Sequence, residues 1–353
     1  MARASAGARL HFGFCNLSLS HERLYGALGI GLARPRVVVD AEAADGVSVV
    51  DKTGSALGGD ESVSALGGDE SGSALADDVR KYATTVTDLL GVDGASVIIR
   101  ESLPRHAGLG SGTQLAAATL AAVAAAHNEP ARVRERAPAL GRGGRSGIGV
   151  ATFEAGGFVL DAGQPTARFT TDRPDNGDWT VPPVAARHHV PDDWRFLLVH
   201  PNAEPGRNGV SEDDAMRTAV EQAEPGLADR IGGIVLRRVL PSLADDNAER
   251  FGAAVAEIGR LNGAWYADEQ GGVYRPPVGA LVASLSEASA VFGAGQSSWG
   301  PTVYGVTDRE HADAAAAAGE RALAEADVSG SVSIVEAAAG GAEIRNGDET
   351  PRE

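Results

Sequence analysis

The sequence predicts an α+β protein of two domains, and three observations carry that prediction. Strand-like and helix-like segments alternate along all 353 residues. A glycine-rich turn, PRHAGLGSGTQ at residues 104–114, runs straight into an alanine-rich helical stretch. Near Gln164 the composition changes to a proline-bearing bridge, and a second set of strands and helices follows. A chain of this length buries a substantial core and readily divides in two. We place the first domain at 1–164 and the second at 165–340, and read 341–353 as a frayed tail.

RLHFGF and RPRVVVDAE read as strands, and SHERLYGALGIGLA between them as a glycine-rich connection. GVSVVDK is a further strand. Three copies of one unit, SALGGDESV, SALGGDESG and SALADDV, span Ser55–Val79. They are small and acidic, with too short a period for most solenoids, and read as a duplicated surface loop. ALADDVRKYATTVTDLLG is a helix ending at Gly91, where a left-handed residue closes it. GASVIIRESLP is a strand leading to the glycine-rich turn. The helix beyond, LAAATLAAVAAA, is apolar nearly all round, which marks a buried central helix. HNEP stops it, and APALGRGGRSGIGVATFEAGGFVLDAG then gives a turn, a short helix and a hairpin.

The second unit opens on the strand RFLLVHP. SEDDAMRTAVEQA, LADRIGGIVLRRVLPSLA and AERFGAAVAEIGRLNGAWY are helical. It closes as helix, loop, strand, helix, strand through GALVASLSEASA, VFGAGQSSWG, PTVYGVTD, REHADAAAAAGERALAEA and GSVSIVEAAA.

Charge and cysteine count narrow the functional classes. The net charge is −17, and only Lys52 and Lys81 are lysines among 31 basic residues. Dispersed carboxylates with scarce lysine fit a protein of a halophilic archaeon, kept dissolved in concentrated salt; arginine also follows from a GC-rich genome. Such a field repels nucleic acid. No apolar run of about 20 residues is present, and the N-terminus carries no apolar signal core, so a cytoplasmic protein without membrane partners is expected. Cys15, a single cysteine, excludes internal disulfides and cysteine-built metal sites.

Against this background residues 100–145 hold seven arginines and three glutamates. Arg132, Arg134 and Arg136 read as a solvated helix face. Arg142 and Arg145 lie in GRGGRSGIG, whose glycines leave a ligand room to meet the backbone. The turn before the alanine-rich helix has a direct physical use. The first amides of a helix lack acceptors and carry the positive end of its dipole, so they hold anions. Gly108, Gly110 and Gly112 let the backbone fold around a phosphate, and Ser111 and Thr113 add hydroxyls. The other reading is a plain turn opening a core helix. Neither G-x-x-x-x-G-K-[ST] nor G-x-G-x-x-G is present, since Thr113 stands where the last glycine would be.

PRHAGLGSGT resembles the P-x-x-x-G-L-G-S-S-A motif of the GHMP kinase superfamily. Pro104, Gly108, Leu109, Gly110 and Ser111 match in register, while Gly112 and Thr113 replace the final Ser-Ala. FGAGQSSWGP falls where that superfamily carries a second glycine-rich loop. The resemblance implies a two-domain GHMP-kinase-like fold, with an N-terminal ribosomal-protein-like α/β domain and a C-terminal ferredoxin-like domain. It also implies an aspartate in a segment like PSG-x-D, which in many of these kinases helps deprotonate the substrate. Here the segment is RSGIG, with Gly149 at that place. Glycine cannot accept a proton, and no lysine lies near either loop.

RLHFGF, LGIGLARPR, GLGSGTQLA, GRGGRSGIGVATFEAGGFVLDAG, HPNAEPGRNGVSED and GQSSWGPTVYG together resemble a non-kinase branch of the superfamily, the β-ribofuranosylaminobenzene 5′-phosphate synthases. That resemblance implies a decarboxylating phosphoribosyl transfer in tetrahydromethanopterin synthesis. Phosphoribosyl pyrophosphate would be joined to 4-aminobenzoate or 4-hydroxybenzoate with loss of pyrophosphate and CO2. Gly108, Gly110, Ser111, Gly112, Thr113 and Gln114 would cradle the pyrophosphate. Arg142, Arg145 and Ser146 would meet a second phosphate, and Gln296, Ser297 and Ser298 would face the same cleft. Arg9 and His11, two apart on one strand and so on one face, would hold the aryl carboxylate or polarise the leaving group. His11 reads equally as a satisfied core histidine, and His106 as a phosphate partner or an exposed side chain. Asp161 would bind Mg2+ or a ribose hydroxyl, or serve as a turn residue. His200, Asn202 and Arg207 border a loop entering the second domain. No organic cofactor is implied, and a homodimer is left open. The alternatives are an ATP-dependent small-molecule kinase of the same superfamily and a non-catalytic ligand-binding relative.

Overall fold

The computed structural model describes residues 1–55, 70–169, 177–204 and 210–346. β1 (Ala2–Asn16) and β2 (Arg23–Ala43) form a long antiparallel pair interrupted by two bulges, between Gly7 and Arg9 and between His11 and Gly13. The segment LYGALGIGLA, expected as a connection, belongs to β2. Its glycines serve close packing instead of a turn: a Cβ on Gly29 would stand 2.3 Å from the Leu10 carbonyl oxygen and 2.6 Å from Ile148. β3 (Ser48–Asp51) follows.

α1 (Glu70–Leu90) absorbs the third copy of the acidic repeat, which corrects its reading as loop. Leu75 and Val79 lie one helical turn apart and are buried in the core, so that copy has a hydrophobic face to place. Most of the first two copies lies outside the described residues. β4 (Ala95–Glu101) pairs parallel to β3 and antiparallel to β2. α2 (Ser111–Ala126) is buried along most of its length against β1 and β2, as its all-apolar surface requires.

α3 (Val133–Arg136) and α4 (Ile148–Ala155) lead to β5 (Phe158–Asp161), β6 (Gln164–Pro165) and β7 (Val184–His188). β5 joins β2 on one side and β7 on the other. The expected hairpin is therefore closed across the proline-bearing bridge, and residues up to 188 side with the first sheet, beyond the boundary expected at 164.

The second sheet begins with β8 (Trp194–Pro201). Then come α5 (Val210–Gln222), α6 (Pro225–Ile234), a π turn over Val235–Val239, α7 (Leu240–Ala244), α8 (Ala248–Trp265) and α9 (Ala267–Gln270). α10 (Val278–Ser286), β9 (Gly293–Gln296), β10 (Val303–Asp308), α11 (Ala312–Glu325) and β11 (Gly330–Val335) complete it. Its order is β11-β8-β10-β9 with every pair antiparallel, the fourth-first-third-second arrangement of a ferredoxin-like sheet. Of the tail expected to fray, Glu343–Asn346 form β12, which pairs Ala2↔Asn346 through Ser5↔Glu343 on the open edge of β1, and 347–353 lie outside the described residues. The first sheet then runs β12-β1-β2-β4-β3, with β5 and β6 also on β2.

One hydrophobic core joins the two sheets. Phe12 of β1 meets Phe251 of α8 and Tyr304 of β10 edge to face, at ring centroid distances of 5.7 and 5.0 Å. Leu10, Leu120 and Phe196 belong to the same cluster. The first strand is thus held from both sides, which makes its outer end a rigid platform. Among the described residues no helix is long and apolar enough to cross a membrane.

Candidate active site

Gly108 and Gly110 have φ angles of 85° and 79°, a left-handed backbone that only glycine adopts without cost. A Cβ on Gly108 would stand 2.1 Å from the Ser297 carbonyl oxygen, and one on Gly300 would stand 2.0 Å from the Ala107 carbonyl carbon. The two glycine-rich loops therefore meet backbone to backbone. The Gly108 carbonyl accepts from Ser297 Oγ and from Arg9 Nη1, both at 2.7 Å. Arg9 N donates to the Leu109 carbonyl at 3.0 Å, and Ser298 N to the His11 carbonyl at 3.3 Å. β1, the turn before α2 and the loop after β9 are stitched into one unit.

Gly110 is the N-cap of α2, with no side-chain cap. The Thr113 and Gln114 amides turn back to the Gly110 carbonyl. Those of Ser111 and Gly112 find no acceptor among the described residues, and both residues line an open cleft. A Cβ on Gly112 would stand 2.8 Å from Arg142 Nη1, so glycine there makes room for a guanidinium over the start of the helix. Arg142 donates to the Tyr82 hydroxyl and lies 5.5 Å from the centre of the Tyr82 ring. Its Nε is buried with no partner among the described residues. A cation pressed on the positive end of a helix, with a buried donor unspent, is an arrangement that a bound anion completes.

The cleft encloses about 1770 Å3 and is lined, among the described residues, by six arginines (Arg9, Arg105, Arg142, Arg145, Arg168, Arg217) against three aspartates (Asp78, Asp178, Asp213). In a chain of net charge −17 that local excess selects anionic ligands. Some of it is already committed: Arg105 pairs with Asp78 at 2.8 Å, and Arg145 pairs with Asp213 of α5 and with the Tyr25 hydroxyl. These partners hold the Arg145 guanidinium at the wall of the cleft. Arg9, His11, Ser111, Gly112, Thr113, Arg142, Arg145, Ser146 and Ser298 all open on this one cleft. His106 lines it too, with a φ of 54°, and burial beside Arg105 pushes its imidazole below the usual range.

Several expected ligands do other work. Ser297 is 0% exposed, its hydroxyl spent on Gly108 and on the His11 amide, so the serine facing the cleft is Ser298. Gln114 is buried, and its Nε2 donates to the Gly149 carbonyl at 2.9 Å. Gln296 donates to the Ser298 carbonyl and faces a second, smaller hollow. Asp161 is 2% exposed and accepts from the amides of Ala27, Gly147 and Gly163 and from the Ser146 hydroxyl. Burial pushes its carboxyl up to about 6 against those four donors. It closes a turn and leaves no lone pair for Mg2+, which corrects the metal reading; among the described residues no cluster of three His, Cys, Asp or Glu gathers elsewhere. Ser146 also accepts from the Ile148 amide at the start of α4. Arg134 pairs with Glu154 as a surface residue. His200 bonds to Thr302, and Asn202 to Ser329. Arg207 lies outside the described residues.

Gly149, in the first turn of α4, faces Thr113 in the first turn of α2. A Cβ there would stand 2.9 Å from Thr113 Cγ2. An aspartate at this position has no room unless the Thr113 side chain turns aside or the two helix starts move apart. His11 is 4% exposed, and burial and then Arg9 push its imidazole down to about 3, so it is neutral. Among the described residues nothing hydrogen-bonds its ring nitrogens. It lines both the cleft and the smaller hollow. Tyr82, Asp213 and Trp299 also line the cleft without having been singled out; only Trp299, inside the second glycine-rich loop, carried a local signal.

Comparison with known proteins bears out the two-domain fold. Residues 77–157 match the family described as GHMP kinases N terminal domain, and 239–325 match GHMP kinases C terminal. A beta-ribofuranosylphenol 5′-phosphate synthase of Methanothermobacter thermautotrophicus is 33% identical over 317 residues, covering 89% of this chain and 91% of the relative. A protein of the same name from Methanocaldococcus jannaschii is 27% identical, covering 86% and 88%. Among solved structures, mevalonate pyrophosphate decarboxylase from Streptococcus pyogenes superposes with a TM-score of 0.64 at 10% identity, covering 96% of this chain and 97% of that one.

Proposed function

The chain belongs to the beta-ribofuranosylphenol 5′-phosphate synthase family of the GHMP superfamily, and from that membership we propose that it transfers phosphoribose from phosphoribosyl pyrophosphate to a para-substituted benzoate, releasing pyrophosphate and CO2. The observation that carries this reading is Arg142 over the open start of α2, with Gly149, packed behind Thr113, at the place where many kinases of the superfamily carry a proton-abstracting carboxylate. The relatives are named for a ribofuranosylphenol product, which favours 4-hydroxybenzoate as the acceptor, in tetrahydromethanopterin synthesis.

The chemistry asks for charge stabilisation and placement, and not for a strong base. The C1–O bond of the donor breaks with its electron pair leaving on pyrophosphate. The Ser111 and Gly112 amides, Arg142 and Arg9 supply donors where that charge grows. Positive charge is left on C1 and the ring oxygen of the ribose. The ring carbon bearing the carboxylate attacks C1 from the opposite face and forms the C–C bond. The bond to the carboxylate then breaks, its pair restores aromaticity, and CO2 leaves. No proton is taken from carbon at any step, which suits a neutral His11 and the absence of a base at 149. Arg145, held by Asp213, and Ser298 line the same cleft and would meet the 5′-phosphate end of the donor.

The decisive experiment supplies phosphoribosyl pyrophosphate and carboxyl-labelled 4-hydroxybenzoate, with 4-aminobenzoate in parallel. Labelled CO2 and pyrophosphate should appear in equal amounts. ATP consumption with no CO2 released overturns the reading. Arg142→Ala should lower kcat/KM for the donor by roughly 100-fold, with the acceptor's KM little changed.

A further inference from the structure

The arginine-lined cleft also carries an apolar region of its own. The whole chain has eight phenylalanines, five tyrosines and four tryptophans. Among the described residues six of these line the cleft: Phe14, Tyr25, Tyr82, Phe169, Trp179 and Trp299. Phe14, Tyr25, Phe169 and Trp299 pack on one hydrophobic cluster, whose buried Leu24 and Met216 also line the cleft. The four rings are only partly buried, so the cluster leaves aromatic surface on the cleft wall. At about 1770 Å3 the cleft is larger than the roughly 300–1,000 Å3 of a site for one small molecule. It has room for an anionic ligand at the arginines and a flat apolar one at these rings.

The backbone is bent to bring these rings to the cleft. Alternation along β1 would put Arg9 and His11 on one face and Phe12 and Phe14 on the other. The bulge between His11 and Gly13 breaks that alternation. Phe12 stays in the core against Phe251 and Tyr304, while Phe14 reaches the cleft with its ring 5.0 Å from that of His11. Gly13 has a φ of 139°, and a Cβ on it would stand 2.7 Å from the Asn262 side chain. Asn262 clamps the next residue, accepting from Phe14 N at 2.7 Å and donating to its carbonyl at 2.9 Å. Tyr25 of β2 has a φ of 68°, a left-handed backbone that is unfavourable for a bulky residue. Its ring lies 5.7 Å from that of Phe14, tilted by 52°, and its hydroxyl bonds to Arg145. Strain of this kind persists only where the surroundings enforce it, and it gathers at ligand sites.

We propose that this aromatic wall of the cleft seats the ring of the acceptor, against Phe14, Tyr25 and Trp299, with the carboxylate-bearing carbon toward His11. The assignment rests on the ribosyl-transfer reading above and adds the place of the second substrate. The chemistry favours a grip on the ring over a grip on the carboxylate. An ion pair to a group that must leave as neutral CO2 is lost in the transition state and slows the step, whereas contact with the ring is kept throughout. His11 stands on β1 between Phe14 and Arg9, and Arg9 meets the Gly108 carbonyl. The attacking carbon and C1 of the donor are thereby brought together in one cleft.

The test is Phe14→Leu and Trp299→Leu, which remove a ring and keep an apolar side chain, beside Tyr25→Phe, which keeps the ring and removes its hydroxyl. The KM for 4-hydroxybenzoate should rise about 10-fold in each leucine variant, with the KM for phosphoribosyl pyrophosphate unchanged. In Tyr25→Phe the acceptor KM should stay at the wild-type value. Trp299 lies in a loop, so its variant answers the question if Phe14→Leu does not fold. Folded leucine variants with an unaltered acceptor KM overturn the proposal, as does an equal rise for both substrates or an equal rise in Tyr25→Phe. Equilibrium dialysis of 4-hydroxybenzoate separates this from a failure of the reaction itself. If the wild-type protein binds it, the leucine variants bind it about 10-fold more weakly, and no CO2 forms, the seat stands and the ribosyl-transfer reading falls. If CO2 forms at one acceptor KM in the wild-type protein and all three variants, the transfer stands and the seat falls.

Discussion

His11 shows how one buried side chain ties the site to pH. An unfolded histidine titrates near its ordinary value of about 6.5, whereas burial beside Arg9 holds this one down to about 3. Between those values the unfolded chain binds a proton that the folded chain refuses. The stability this group contributes is therefore complete above pH of about 6.5 and is lost as pH falls toward about 3. His11→Gln keeps a neutral side chain able to hydrogen-bond and should flatten the acid limb of a Tm-against-pH curve. A curve parallel to that of the wild-type protein down to pH of about 4 would mean the imidazole is charged inside the fold. The same neutrality excludes His11 as a proton donor at pH near 7 and leaves it as a hydrogen-bonding wall between the two spaces. Gly149 and Gly112 work in the opposite sense, by what they lack: one lets α4 close on Thr113, the other admits Arg142.

At the scale of elements, the site is the junction of a strand, a turn and a loop that are far apart in sequence. Gly108 is the pivot, because its left-handed φ of 85° and its approach to the Ser297 carbonyl each exclude a side chain. Gly91 offers a control: its φ is 67°, with nothing within 4 Å of a built Cβ. Gly91→Ala should cost only the left-handed penalty, about 1 kcal/mol. Gly108→Ala should cost at least ~2 kcal/mol more and abolish donor binding. Urea unfolding of the two variants measures the difference; equal costs would show that the loops do not press together.

The whole molecule carries two opposed fields, a net charge of −17 and a cleft lined, among the described residues, by six arginines. Salt screens both. Raising KCl from about 0.1 M toward the molar range, several-fold shorter in Debye length, should raise Tm by relieving the repulsion between dispersed carboxylates. The same change should raise the KM for the anionic donor by weakening the cleft's attraction. Thermal scans and initial rates across one salt series check both signs. A Tm that falls with KCl would remove the reading of the charge as an adaptation to concentrated salt.

The sequence by itself determined the features that are local along the chain. Glycines at 108, 110 and 112 before an apolar helix are enough to announce an unfilled helix start, because φ and helix ends depend on neighbours a few residues away. Gly149 was equally legible, since the missing carboxylate is a property of one position. The succession of strands and helices followed from periodicity, apart from the glycine-bearing part of β2 and the strands β7, β9 and β12, which lie in stretches read as bridge, loop and tail. Tertiary structure alone decided which polar groups face the ligand. Ser297 and Ser298 are indistinguishable as text, but one is consumed by Gly108 and the other opens on the cleft. Asp161 looked available until three amides distant or near in sequence claimed it, and Arg145 met Asp213 across 68 positions. A buried polar atom takes whatever partner the fold brings within about 3 Å, and that partner is set by how the two sheets dock, not by the residues beside it in the chain.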